Sequence, residues 1–245
     1  MNSFPNFRDL GGRAACDGKK IKSGLIYRSG QVGKLTKGEL ATLLSHGIRT
    51  VLDLRSARES LEHLPAGGAT IVGLPIELED KYQKRVRPLL YRRHGGRAVE
   101  DMVASLYAEL VTDQRHTVRR LFEILASQDR YPLLVHCRAG QDRTGFVSAV
   151  VLLSLGVDKK DIVADYLLSI GYSVPKVRIM AIVVRALTLG FLSTDTFKAA
   201  FTAHERYVRA IFGEIESKFR TIEGYLDSCG VSCESMRRFR EIVLA

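Results

Sequence analysis

The chain has 245 residues, of which 46% are hydrophobic and 26% charged. That balance allows one well-buried core and excludes a disordered or fibrous protein. A formal net charge of +10 suits anionic ligands such as phosphate esters, lipid headgroups or nucleic acid, and no apolar run reaches the roughly 18 residues of a membrane-spanning helix.

The four cysteines, Cys16, Cys137, Cys229 and Cys233, form no zinc pattern. So few cysteines in a chain of this size point to a reducing compartment. The N-terminus, MNSFPNFRDL, lacks the basic-then-apolar layout of a signal peptide, so a cytoplasmic location is the expectation.

Asn6–Gly12 (NFRDLGG) reads as a turn-rich opening in which Arg8 and Asp9 either pair with each other or brace a later loop. Cys16-Asp17-Gly18-Lys19 has the make-up of a hairpin turn, and Leu25–Arg28 that of a strand. Thr36, with Glu39 three residues on, matches a capping box at the head of a helix striped by Leu40, Leu43 and Leu44 and ended by Gly47. Thr50–Leu54 is short, apolar and β-branched, the pattern of a buried central strand. It runs out into Asp53 and Arg55. Charged groups at strand C-termini commonly face the ligand side of α/β folds, so Asp53 either acts near a site there or anchors Arg55 or Arg143.

Thr70–Ile76 is a further strand candidate, followed by Glu77, Glu79 and Asp80. Between Lys81 and Arg97 lie seven Lys or Arg residues and no acid. This run reads as a solvated, mobile loop, or as a basic flap over an anion site or a contact for anionic lipid, with Tyr82 and Tyr91 able to flank a ring. Val99–Leu110 and His116–Ser127 read as helices, the second striped by Val118, Leu121, Phe122 and Leu125. Pro132–Val135 reads as a strand end, Thr144–Leu153 as a central buried helix, and Asp161–Ser169 as another helix. Arg178–Leu192, apolar but broken by Arg185, is either a core helix or a helical lid. From about Glu205 onward two or three amphipathic helices are expected, with Gly213, Gly224 and Gly230 as breaks. The pattern is α/β: a central, mostly parallel sheet flanked by helices, with a helical C-terminal part. A single domain over residues 1–245 is expected, with candidate lid segments at 81–97 and 174–203.

The stretch Val135–Phe146 (VHCRAGQDRTGF) carries the chemistry. Cys137 and Arg143 are separated by five residues, in a short loop leading from a strand to a helix N-terminus. Such a loop can curl its N–H groups into a nest for an anion. Arg138, Ala139, Gly140, Gln141 and Gly145 would supply the ring, and Arg143 would close it with a planar fork suited to bidentate phosphate contact. Cysteine chemistry at phosphorus needs the thiolate, whereas a free thiol, with pKa about 8.5, is mostly protonated at neutral pH. Converging N–H dipoles and a guanidinium are the surroundings that favour an anion, and they would hold a phosphoryl group during transfer. Thr144 can donate its hydroxyl to the departing sulfur. His136 more naturally orients the loop from its buried side than serves as a base.

His136–Gly145 (HCRAGQDRTG) resembles the signature loop of the cysteine-dependent phosphatases, the protein tyrosine and dual-specificity enzymes. Asn6–Gly12, Ile26–Val32 (IYRSGQV) and Val51–Ser60 (VLDLRSARES) are similar to the atypical bacterial branch of that family, the kind found in mycobacteria. The resemblance implies a P-loop between a strand and the central helix, hydrolysis of phosphate monoesters through a phosphocysteine on Cys137, and no metal or cofactor. It also implies a phosphorylated protein or other anionic phosphate ester as substrate. Members of the branch commonly carry lysine where this chain has Gln141, as do phosphatases of inositol phosphates, so Gln141 argues against a phosphoinositide preference.

A departing ester oxygen needs a proton. The chain has no tryptophan, and hence no tryptophan-proline-aspartate loop to supply it. Two candidates remain: Asp142, the position that the resemblance suggests, and Asp80, beside Glu77 and Glu79 on a loop expected to move. The leading expectation is a phosphatase acting on phosphotyrosine, with phosphoserine and phosphothreonine as further substrates. The alternatives are a phosphoinositide phosphatase with the same chemistry, a non-catalytic phosphate-binding module, or a sulfurtransferase. Intact Cys137, Asp142, Arg143 and Thr144 argue against the binding module. The Thr144-Gly145 continuation argues against the sulfurtransferase. Base-stacking or groove-reading elements are not evident, so nucleic acid is not expected as a partner. The oligomeric state is not legible.

Overall fold

The strands form where short β-branched and leucine-rich runs occur, and the chain between them coils into helices. The structure, a computed structural model, describes residues 5–31, 37–57, 59, 68–90, 95–170, 177, 179, 182–183 and 194–245. Its strands are β1 (Arg8–Asp9), β2 (Ile26–Ser29), β3 (Thr50–Asp53), β4 (Thr70–Gly73) and β5 (Leu133–His136), arranged in the order β1-β2-β5-β3-β4. β2, β5, β3 and β4 are parallel, and β1 is antiparallel to β2. The three inner strands are buried at every position, so none shows the alternation of a half-exposed strand, and the polar residues they carry, Arg28, Ser29, Thr50, Asp53 and His136, are buried too.

The register sets the site. Ser29 on β2 and Asp53 on β3 both lie opposite His136 on β5. Three strands therefore end level, one residue before Cys137, at the middle of the sheet's C-terminal edge. Open α/β sheets bind ligands at that edge.

The helices are α1 (Lys37–Ser45), α2 (Glu79–Arg85), α3 (Arg87–Leu90), α4 (Gly96–Asp113), α5 (Arg115–Leu125), α6 (Asp142–Ser154), α7 (Lys159–Leu167), α8 (Thr194–Phe201), α9 (Glu205–Phe219), α10 (Ile222–Ser228) and α11 (Cys233–Val243). α6 is buried along nearly its whole length, so the loop at its N-terminus is held by the core and not by the surface. One buried apolar cluster runs from Leu10 to Leu244. A smaller one, around Phe7, Tyr27, Val51 and Leu134, covers the other side of the sheet. Among the described residues no helix is long and apolar enough to cross a membrane.

Several expectations need correction. The basic run after Lys81 is no loop where it is described: α2 and α3 carry it as far as Leu90, with Val86 and Leu90 buried. Two of its charges have partners on α4, since Lys81 binds Glu109 (2.9 Å) and Asp113, and Arg85 binds Glu109 (2.5 Å). Tyr91 lies outside the described residues, and so does Thr36, the expected cap of α1. β4 stops at Gly73, three residues short of Ile76. In the apolar stretch after Arg178, Ile179, Ile182 and Val183 are helical but exposed (66%, 57% and 49%), so these three are not core. Residues 184–193 and most of 171–181 lie outside the described residues. Gly213 and Gly224 sit inside α9 and α10, and the break between those helices falls at Arg220, with φ of 68°.

Arg8 and Asp9 do not pair. Asp9 accepts from the backbone N–H groups of Gly11 (2.8 Å) and Gly24 (2.7 Å). Arg8 reaches Asp165 on α7 (2.9 Å), where Arg13 (2.7 Å) and the fully buried Arg28 (2.6 Å) also converge. Burial alone would raise the Asp165 carboxyl, but the three guanidinium groups overcome it and hold its pKa below the usual carboxylate range. Removing one partner of a buried charge cluster leaves the others unpaired, at a cost of about 3–5 kcal/mol. Asp165→Asn is therefore expected to lower the melting temperature by roughly 10 °C, at about 2–4 °C per kcal/mol for a chain of this size. Calorimetry showing an unchanged melting temperature would contradict this account of the cluster.

Candidate active site

Between the end of β5 and the start of α6 the chain turns through residues 137–141. Gly140 makes the turn, with φ of +69°. A β-carbon there would lie 2.5 Å from the Ser29 carbonyl oxygen, so only glycine fits. Its carbonyl, pointing away from the loop, accepts from Asn6 Nδ2 (2.6 Å) and from Arg28 Nη2 (2.8 Å). The Arg138 carbonyl accepts from the Gln31 N–H at 2.9 Å. The first intrahelical bond of α6 runs from the Gly145 N–H to the Gln141 carbonyl (2.8 Å). Hence the Asp142, Arg143 and Thr144 N–H groups belong to the open N-terminal turn, where an anion is bound best.

Cys137 is 2% exposed and lies on the floor of a cavity of about 690 Å³. Arg138, Ala139, Gln141, Asp142 and Arg143 also line it, with Tyr82, Arg87 and Phe201 among its walls. Thr144 is fully buried, and its hydroxyl has no hydrogen-bond partner among the described residues. A buried hydroxyl left unpaired is costly, and it fits a group that waits for a reacting atom.

Arg143 is clamped. Its Nη1 and Nη2 donate to the two carboxylate oxygens of Glu59 at 2.5 and 3.0 Å. The Arg143 hydrogen bonds prevail over burial and hold the Glu59 carboxyl down at about 2. In return Glu59 raises Arg143 above the ordinary guanidinium value, against the effect of burial. The guanidinium is thus permanently charged, with its plane fixed at the cavity wall.

Asp53 does not reach Arg143. It accepts from Arg55 Nε (3.0 Å) and Nη2 (2.8 Å) and from the Arg55 backbone N–H (3.0 Å). It is a buried anchor behind the loop, as one of the two sequence readings held. His136 is also buried behind the loop, its Nδ1 3.4 Å from the Cys137 carbonyl and its Nε2 3.7 Å from Asp53. Burial pushes its pKa down to about 4, so at neutral pH it is an uncharged support.

Asp142, the first residue of α6, lines the cavity. Burial raises its carboxyl above the usual carboxylate value, although hydrogen bonds and Arg143 oppose the shift. Such a carboxyl retains its proton to higher pH, which an acid catalyst needs. Asp80, the rival candidate, is exposed on α2, and its neighbour Glu79 lines the cavity in its place. Tyr82 reaches the cavity wall, and its hydroxyl donates to the Ala200 carbonyl of α8.

The structure therefore brings Cys137, Arg143, Asp142, Arg138, Ala139 and Gln141 onto one cavity, with Gly140, Thr144, Gly145, His136, Asp53 and Arg55 behind it. Sequence reasoning missed Glu59, Asn6 and Tyr107 as parts of the site, whereas the resemblance implies a place near the site mouth for Arg28-Ser29-Gly30. Glu59 and Asn6 stood in the stretches similar to the family. Tyr107, within an apolar helical stripe, gave no signal.

A strand-loop-helix phosphate cradle with a cysteine on its floor and an arginine at its wall defines the class: an α/β protein built for phosphate-ester chemistry. The model of the tyrosine phosphatase family matches residues 1–245. The chain belongs to that family and is a phosphatase. It is 27% identical over 98% of its length to the triple specificity protein phosphatase PtpB of Mycobacterium tuberculosis, of which it covers 96%. It is 31% identical, over 68% of its length, to a provisionally named tyrosine-protein phosphatase of Cupriavidus necator, and spans only 61% of that relative. Among solved structures it is similar to TpbA of P. aeruginosa, with 16% identity, TM-score 0.38, and coverage of 87% of this chain and 91% of that one. That likeness is too slight to carry an argument.

The buried, neutral state of His136 has a consequence for stability. Its folded pKa, about 4, lies below the unfolded value of about 6.5. Between those values the unfolded chain binds a proton that the native chain does not, so stability is complete above pH ~6.5 and declines toward pH ~4. The loss is on the order of 3 kcal/mol. Urea unfolding across that window is expected to show the decline, and His136→Gln to flatten it. An equally steep decline in the variant would assign the effect elsewhere.

Proposed function

We propose that the chain is a single phosphatase domain that removes phosphate from phosphotyrosine in proteins, and also from phosphoserine and phosphothreonine, through a phosphocysteine on Cys137. The observation that carries this reading is the meeting of Cys137, Arg143 and Asp142 on one cavity, with the thiol on its floor. The depth and apolar walls of that cavity suit an aryl phosphate. PtpB's triple specificity supports breadth beyond tyrosine.

In the first step the Cys137 thiolate attacks phosphorus, forming a P–S bond as the P–O ester bond breaks. Asp142 gives its proton to the leaving oxygen. The loop N–H groups and Arg143 bind the equatorial oxygens, whose charge is what such sites stabilise. In the second step water attacks the phosphocysteine, the Asp142 carboxylate takes its proton, and the Thr144 hydroxyl donates to the departing sulfur. Asn6, Arg28, Asp53 and His136 act from behind by holding the loop in shape. The +10 charge of the chain draws anionic substrates toward the site. The exposed Arg138 and Arg87 at the cavity favour substrates with a second negative group, so phosphoinositides are the alternative substrate and an anionic lipid surface the alternative contact. We place the protein in the cytoplasm, consistent with its four free cysteines.

Cys137→Ser is expected to abolish hydrolysis of an activated aryl phosphate while retaining phosphate binding by calorimetry. Wild-type turnover by Cys137→Ala would end the mechanism. Comparison of phosphopeptide and phosphoinositide turnover should favour the peptide, and the reverse preference would move the substrate assignment to lipid. Asp142→Asn is expected to slow esters of poor leaving groups by about 100-fold or more, in line with general acid contributions, and activated esters far less. An equal effect on both would remove Asp142 from that role.

A further inference from the structure

Asp142 does not stand alone at its helix terminus. Its Oδ1 accepts from the Tyr107 hydroxyl, and the Tyr107 oxygen lies 2.7 Å from the Tyr166 hydroxyl. Tyr107 spends its one proton on Asp142, so Tyr166 must donate to Tyr107. The chain of hydrogen bonds therefore has a single direction, from α7 through α4 to the site. Both rings are 1% exposed and pack edge to face, with centroids 6.1 Å apart.

The position of Tyr166 depends on Gly145. A β-carbon there would lie 2.8 Å from the Tyr166 ring, so any larger residue in the signature loop would push Tyr166 away. Tyr82 and Tyr207, on α2 and α9, also feel the Asp142 charge. Arg143, beside it on α6, is the cation that faces it, and Cys137, Arg138 and Glu79 share its cavity.

We infer that Tyr107, oriented by Tyr166, is a positioning residue that occupies Oδ1 of Asp142 and so confines the transferable proton to Oδ2. This rests on the reading of Asp142 as the proton donor. An acid with two equivalent oxygens presents its proton to the leaving group only part of the time. A donor fixed on one oxygen removes that ambiguity, and it remains to steady the carboxylate once the proton has left. Tyr82 and Tyr207 donate instead to the Ala200 and Ala199 carbonyls, so of these phenols Tyr107 is the one that bonds the carboxylate.

The test is the pH dependence of kcat/KM for an unactivated aryl phosphate, in wild type and in Tyr107→Phe, Tyr166→Phe, Asp142→Asn and the Tyr107→Phe/Asp142→Asn pair. Phenylalanine keeps the ring and its packing, so a melting curve close to wild type is expected. Loss of the hydroxyl removes a hydrogen bond to the carboxylate, so the alkaline limb should move upward by about one pH unit in Tyr107→Phe. A smaller shift of the same sign is expected in Tyr166→Phe. The rate should fall roughly tenfold, as misplacing a catalytic group does, with little change for an activated ester. In the Asp142→Asn background the same substitution should add nothing. A limb that does not move, or an equal loss with and without Asp142, would overturn the inference while leaving Asp142 as the acid. An Asp142→Asn variant that treats poor and good leaving groups alike would overturn both.

Discussion

The site depends on one backbone carbonyl being turned the wrong way for a phosphate. The Gly140 oxygen points out of the loop, into hydrogen bonds from Asn6 and Arg28. Held there, the oxygen cannot turn inward and repel the phosphoryl group that the proposed mechanism places in the loop. The constraint propagates outward from there. Arg28 can be buried at that position because Asp165 pairs with it, and Asp165 is itself shared with Arg8 and Arg13. Arg8 in turn holds the Asn6 side chain. Burial pushes Arg28 only as far as about 10, so it remains a cation at neutral pH. The N-terminal segment, β2 and α7 are thus tied into the shape of a loop more than 100 residues away along the chain from the first of them.

Charge around the cavity is divided by depth. At its wall Arg143 is paired with Glu59 and stays charged. Behind the loop, Asp53 is neutralised by Arg55, and His136 is kept uncharged by burial. Buried ion pairs contribute little net stability beside an apolar replacement, and breaking one is costly. Their value here lies in fixing position. A guanidinium proposed to meet two phosphate oxygens in one plane cannot be left to swing. On the surface the basic helix α2 is treated differently. Its exposed pairs with Glu109 and Asp113 contribute roughly 0–1 kcal/mol each, enough to choose which face of α2 meets α4.

The loop from Cys137 to Arg143 was legible in the sequence because its spacing is itself the chemistry: a cysteine, five residues that curl, and an arginine at a helix start. The inner strands were legible because they are buried on both faces, so their apolar residues follow one another without alternation up to the polar strand ends. The basic run after Lys81 was not, because composition does not show that Glu109 and Asp113, on another helix, stand opposite it. Asp53 could be narrowed only to alternatives, since the choice between Arg55 and Arg143 is made by side-chain reach. Glu59 lies 84 residues from Arg143, and Tyr107 is one tyrosine in an apolar helical face. Partnerships of that kind are created by the fold. Gly213 and Gly224 misled for the converse reason: glycine permits a break, and packing of α9 and α10 overrides the permission.

The central claim is that Cys137 itself carries the phosphoryl group between the two steps. It is tested most directly by a rapid denaturing quench of the enzyme during turnover of an aryl phosphate, followed by mass analysis of its peptides. The account predicts a phosphoryl adduct on the peptide that contains Cys137, formed at the rate of the first step and decaying at the rate of the second. An adduct on another residue, or product released in a single turnover with no phosphorylated enzyme at any time, would contradict it.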